Sequence, residues 1–155
     1  MSEKKGEAQL ALSARANYDR PKKCKLMMPS ATSSDLGYTL KMEDREGYLY
    51  AIATGERLTA QISAAYWNEI AGRCFDNNVQ RILIEKDFPQ TVGPEDMLRM
   101  ADHLGKLLPG SRIAFLDRHH HDPINELGKK LARNRDVMMQ IFDSVEKAEK
   151  WLRAN

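Results

Sequence analysis

Ser111-Arg112-Ile113-Ala114-Phe115-Leu116-Asp117 is a short apolar run that ends in an acid. Asp122-Pro123 then opens an amphipathic stretch, and Val137-Met138-Met139-Gln140-Ile141-Phe142 is the next apolar run. Asp143 to Leu152 closes the chain as a short helix. Two buried-type strands separated by one helix pair in parallel, because a parallel connection needs a crossover of helix length. The last third therefore predicts a parallel α/β sheet. That architecture hosts many activities, so the fold does not by itself say what the protein does.

The same grammar extends upstream. Arg81-Ile82-Leu83-Ile84-Glu85 reads as a buried strand, and Lys86 to Gly93 as the loop after it. Pro94 suits the first helical position, where Glu95 and Asp96 complement the positive helix end. Met97, Met100, Ala101, Leu104 and Leu108 form the apolar stripe, with Asp96, Arg99, His103 and Lys106 opposite. Pro109-Gly110 stops that helix. In the helix after Asp122-Pro123, Asp122 is the expected cap and Ile124, Leu127, Gly128 and Leu131 the stripe. In the last helix Asp143 and Glu146 have capping-box-like spacing, Glu146 and Lys150 an i, i+4 pair. Ala148, Trp151 and Leu152 face inward.

Tyr38 to Glu43 alternates apolar and polar, the period of an edge strand with one wet face. Asp44-Arg45-Glu46-Gly47 is turn chemistry, and Tyr48 to Thr54 returns as a hairpin partner. Thr59 can cap a helix whose face is Ile62, Tyr66, Ile70 and Cys74. The expected architecture is α/β: a mixed, mostly parallel five-stranded sheet with an N-terminal β-hairpin and about four helices.

A length of 155 residues sets one domain, with 42% hydrophobic and 30% charged residues, ordinary for a soluble protein. The formal net charge of +2 gives no strong nucleic-acid signal, which needs a concentrated basic face. Cys24 and Cys74 are far apart and read as reduced thiols. No run is long enough for a transmembrane segment, and no apolar run of signal type follows the first lysines. The expected location is cytoplasmic. Residues 1–37 hold seven Lys/Arg against four acids. They read as a flexible basic N-terminal tail with a short helix over 7–16, a basic cluster at 20–25 and a linker at 29–35. Residues 38–155 form the folded domain.

The closing phrase carries a resemblance. A strand ending in Phe142, the turn from Asp143 to Glu146, and a helix finishing in Trp151-Leu152 are similar to the SpoIIAA-like branch of the STAS-like superfamily, which includes anti-sigma-factor antagonists. Gly55-Glu56-Arg57-Leu58-Thr59 resembles the opening before that family's first helix. The resemblance covers residues 38–153. It implies a non-enzymatic switch that docks a protein partner through the loop after the central strand and the start of the next helix, where a serine is phosphorylated. The corresponding stretch here, Asp87 to Met97, lacks the Asp-Ser-Ser/Thr-Gly pattern. Thr91 is its only hydroxyl and is the phosphorylation candidate, although Glu95 and Asp96 already occupy the field of that helix end.

The conspicuous polar cluster is Asp117-Arg118-His119-His120-His121-Asp122, at a strand-to-helix junction. In an extended segment Asp117, His119 and His121 would project to one side and offer ligand types suited to zinc. Their spacing is no standard metal signature, and loop histidines more often cap or are solvated. Asp87 and Asp117 end neighbouring strands. No Gly-rich phosphate loop, GxSxG or Cys–His pairing is present. The partner- or ligand-binding candidates are Asp87, Thr91, Gly93, Met97, Asp117, His119 and His121. The first reading is a regulatory or protein-interaction module without a cofactor. The second is a binder of a small apolar or lipidic ligand, with a cavity lined near Met97, Met100 and Leu104. The weakest is a metal-dependent enzyme using Asp117, His119 and His121. Pairing along the edge strand is compatible with a homodimer.

Overall fold

The computed structural model describes residues 33–154. Residues 1–32 of the expected tail, including the helix over 7–16, the basic cluster at 20–25 and Cys24, lie outside the described residues. A helical turn, α1 (Ser33–Leu36), precedes the sheet, and Leu36 packs against the core. Five strands follow: β1 (Tyr38–Arg45), β2 (Tyr48–Gly55), β3 (Arg81–Asp87), β4 (Arg112–Asp117) and β5 (Met138–Ile141). They lie in the order β1-β2-β3-β4-β5, with β1 antiparallel to β2 and every later pair parallel. Helices α2 (Ala60–Asn77), α3 (Pro94–Leu107), α4 (Asp122–Arg133) and α5 (Val145–Arg153) alternate with the strands. This is the mixed five-stranded α/β architecture that the alternation predicts.

The two-residue period of a strand assigns the faces. Ile82 and Ile84 of β3, with Ile113 and Phe115 of β4, join the larger core under α2, α3 and α4. Leu83, Ala114 and Leu116 point the other way, into the smaller core under α5 with Tyr48, Ala148 and Leu152. Ile62, Tyr66, Ile70 and Cys74 are all buried on one face of α2. Burial pushes the Cys74 thiol up to about 11, as for an inert core cysteine.

Local differences from expectation have physical causes. The hairpin is tighter than the turn read at 44–47, because Arg45 still pairs with Tyr48. Asp44 is held in the ladder by Arg73 at 3.1 Å and Asn77 at 2.8 Å, and the Arg45 guanidinium lies 4.3 Å over the Tyr50 ring. The turn falls on Glu46-Gly47, with Gly47 at φ 85°. Thr59 caps α2 as expected, accepting from the Ile62 N–H at 3.0 Å. In the other two caps the assignment slips by one residue. Ser144, not Asp143, accepts from the Lys147 N–H at 3.2 Å, while Asp143 pairs with the Lys147 ammonium at 3.1 Å. His121 is the N-cap of α4, and Asp122 is its first residue. No side chain caps that helix; Asp117, from the strand below, instead accepts from the N–H of His121 and from the Asn125 amide.

Candidate functional site

All four parallel strands end at one edge of the sheet, and the loops leaving β2, β3 and β4 meet there. Asp117, the last residue of β4, is 9% exposed. Its Oδ1 accepts from the His119 N–H at 3.0 Å. Its Oδ2 accepts from the His121 N–H at 2.9 Å and the Asn125 amide at 2.8 Å, and bonds His121 Nδ1 at 2.8 Å. Burial pushes the carboxyl up. The bonds from Asn125, the two backbone N–H groups and the His121 ring outweigh that and hold it at about 2.

The histidines are not free ligands. The segment after Asp117 is a tight turn, with His120 at φ 54° and its N–H on the Asp117 carbonyl at 3.2 Å, rather than an extended run. His119 Nε2 meets Asp87 Oδ1 at 2.7 Å, across the gap between the ends of β4 and β3. His121 Nε2 meets the Pro89 carbonyl at 3.0 Å. Pro89 O and the ionised Asp117 oxygen can only accept, so a proton on each ring nitrogen satisfies both bonds at once. Arg118 adds a contact of 3.5 Å to Asp87 and one of 3.9 Å to Glu85, which also accepts from the Tyr50 hydroxyl at 2.6 Å. Among the described residues no three His, Cys, Asp or Glu side chains group to hold a metal ion. The oxygens of Asp117 face N–H donors instead.

The same bonds pin the loop after β3. His121 holds Pro89 from one side. From the other, the Leu58 N–H donates to the Gln90 carbonyl at 2.8 Å and the Gln90 N–H to the Glu56 carbonyl at 3.2 Å. Phe88 is buried and stacks on Tyr66, with centroids 6.4 Å apart. Gly55 leaves room for it, since a Cβ there would come within 2.7 Å of the Phe88 ring. Asp87, Asp117, His119 and His121 are thus brought together. Thr91, half-buried, and the exposed Gly93 lie further along the pinned loop. Met97 points elsewhere: it is buried and lines a cavity beneath the helices.

That cavity, of about 40 Å³, lies between the sheet and α2, α3 and α4, lined by Met97, Met100, Leu104, Phe115, Met139 and others. Three polar side chains line it: Asn125, Tyr66 from the apolar face of α2, and Lys86, which the sequence reading places in the loop after β3. Lys86 continues the Ile82, Ile84 face of β3 into the cavity, with its ammonium 4.8 Å from the Phe115 ring centroid. Burial lowers its pKa to about 8, against an opposing pull from Asp117. Tyr66 is fully buried, and its hydroxyl makes no well-formed hydrogen bond among the described residues, with the buried Ser63 hydroxyl as its polar neighbour. The signal available was the alternation Ile82, Ile84, Lys86, which puts the lysine on the core face once the strand runs two residues past Glu85.

No helix among the described residues is long and apolar enough to cross a membrane. No protein-family model matches the chain. No curated protein matches it. Among solved structures it is similar to an anti-sigma factor antagonist from Mycobacterium paratuberculosis, at 14% identity over 75% of this chain and 94% of that one, with a TM-score of 0.52. A protein of the DUF3478 family with a SpoIIAA-like fold, from Shewanella loihica PV-4, aligns at 16% identity over 81% of this chain and 99% of that one, with a TM-score of 0.48. The likeness to the antagonist is one of fold: the chain has the α/β fold of that anti-sigma factor antagonist.

Proposed function

We propose that the chain is a non-enzymatic regulatory module that binds a protein partner through the loop after β3, the start of α3 and the loop after β4. One observation carries this reading: His119–Asp87 and His121–Pro89 lock the two loops into a single pre-formed surface. A surface held in its binding geometry loses little entropy on association. Leu98 stands exposed beside it on α3, as does Arg99. The similar structure is named an anti-sigma factor antagonist, which accords with partner binding. The histidines and carboxylates of the site are engaged with each other, which supports a structural rather than a catalytic role. Thr91 would join this surface without being required for it.

The test is capture from host extract by the immobilised protein. A partner lost with Leu98→Glu and Arg99→Glu, but kept with Phe75→Glu at the distant end of α2, supports the reading. A partner lost equally with Phe75→Glu, or with none of the three, overturns it. A second reading, a small-ligand protein, is supported by the cavity, which lies where the stripe of Met97, Met100 and Leu104 predicts one.

A further inference from the structure

Lys86 and Asp117 are register partners on adjacent parallel strands and share a face of the sheet. Two opposite charges so placed would ordinarily pair. They do not: Asp117 is turned toward the first residues of α4 and bonded there to His121 and Asn125. The Lys86 ammonium has no ion pair or hydrogen bond among the described residues and meets only the π face of Phe115. A buried ammonium with three donor hydrogens and no acceptor is costly, and it is retained in a space that can hold something else. Tyr66, whose hydroxyl also makes no well-formed hydrogen bond among the described residues, lines the same space. Tyr66 stacks on Phe88, two residues beyond Lys86, so both groups come from the same end of the cavity.

We propose that this cavity is a binding site for a small monocarboxylate, its oxygens held by the Lys86 ammonium and the Tyr66 hydroxyl and its short apolar tail among Met97, Met100 and Met139. The inference rests on the small-ligand reading. The chemistry follows from the walls. One ammonium and one hydroxyl match the two oxygens of a carboxylate, whereas a phosphate would need more than one cation in so dry a site. The remaining walls are mostly thioether, aliphatic and aromatic, so the body of the ligand is apolar. A volume of about 40 Å³ is well below the roughly 150 Å³ that takes a benzene-sized body, so a chain of a few carbons enters only as the methionines give way, and a lipid tail is excluded. Flexible methionines let the walls follow the tail.

The experiment is a titration with butyrate, and in parallel with uncharged butyramide, followed by NMR of the methionine methyls and the Lys86 side chain. Butyrate should shift Met97, Met100, Met139 and Lys86 saturably and bind at least about tenfold tighter than butyramide, the worth of a charge-assisted hydrogen bond. Lys86→Met, checked for folding by thermal unfolding, should lose that preference, and Tyr66→Phe should weaken butyrate without altering butyramide. Equal binding of the two probes, or a preference that survives Lys86→Met, overturns the carboxylate site and leaves the small-ligand reading standing. No binding of either at about 100 mM overturns both.

Discussion

Asp117 and Lys86 sit side by side on one sheet face, are almost equally buried, and end in opposite circumstances. Asp117 has an acceptor bond to each donor that converges on it, and its ionised form is favoured. Lys86 has a π face and no acceptor, and its ionised form is disfavoured. Burial penalises both charges, and what differs is the number of hydrogen-bond partners. The comparison separates a group that builds the site from a group that waits for something in it. Asp117 shapes the loop and anchors the Asn125 side chain of α4, while Lys86 destabilises the empty fold.

Removing the carboxylate should therefore have the largest effect. Asp117→Ala strips an acceptor from the His119 and His121 N–H groups, the His121 ring and the Asn125 amide at once, and removes the anion nearest Lys86. We expect a loss of about 3 kcal/mol in urea unfolding at neutral pH, most of it from donors left buried and unpaired. The companion double variant with Lys86→Met should lose less than the sum of the two single effects predicts, because no lysine charge is then left without the pull of Asp117. Strict additivity would show that the two residues do not sense each other.

The second effect has the opposite sign. Lys86→Met replaces a desolvated ammonium by an apolar chain of similar length and should stabilise the protein at pH 7 by about 2 kcal/mol. The folded pKa, about 8, lies below the unfolded value of 10.5, so the unfolded chain binds more protons between the two. Stability of the natural protein should rise across that window, on the order of 3 kcal/mol, relative to Lys86→Met. Asp117 works on the other limb: its depressed pKa gives stability that is present above the unfolded carboxyl range and lost as pH falls toward about 2. Unfolding curves for the two proteins that stay parallel from pH 8 to 10.5 would remove Lys86 from the comparison.

How much of this was legible from residues divides along the same line. The order of strands and helices, the Thr59 cap, the Pro94 start and the buried face of α2 follow from period and capping chemistry, which are local. The pinning of His119 on Asp87 is not local: the two residues are 32 positions apart and meet only because β3 and β4 are neighbours. Asp122 reads as the cap of α4 because the rule seeks the acid nearest the helix, yet no side chain caps it, and the carboxylate that accepts from the His121 N–H comes from five residues earlier, lifted by the strand. Asn125 fell outside the apolar stripe, yet it is buried because Asp117 gives its amide a partner. The sequence places Lys86 in a loop because a charge ordinarily ends a buried strand. It is where local expectation and tertiary placement disagree most, and such conflicts concentrate at functional positions.

The smallest expected effect probes the cavity without touching either charge. Gly128 of α4 faces the cavity, and a Cβ there would lie 2.9 Å from the Met97 sulfur. That neighbour is the far end of a flexible side chain, so Gly128→Ala should push Met97 into the open space rather than displace backbone. Alanine also raises helix propensity by about 1 kcal/mol, which offsets the crowding. Net stability should change by less than about 1 kcal/mol, while the His121 and Asn125 resonances stay in place and those of Met97 and Lys86 move. A large loss of stability would mean that the cavity walls are as fixed as the Asp117 clasp. The two regions would then differ in hydrogen bonding alone, not in their freedom to rearrange around an occupant.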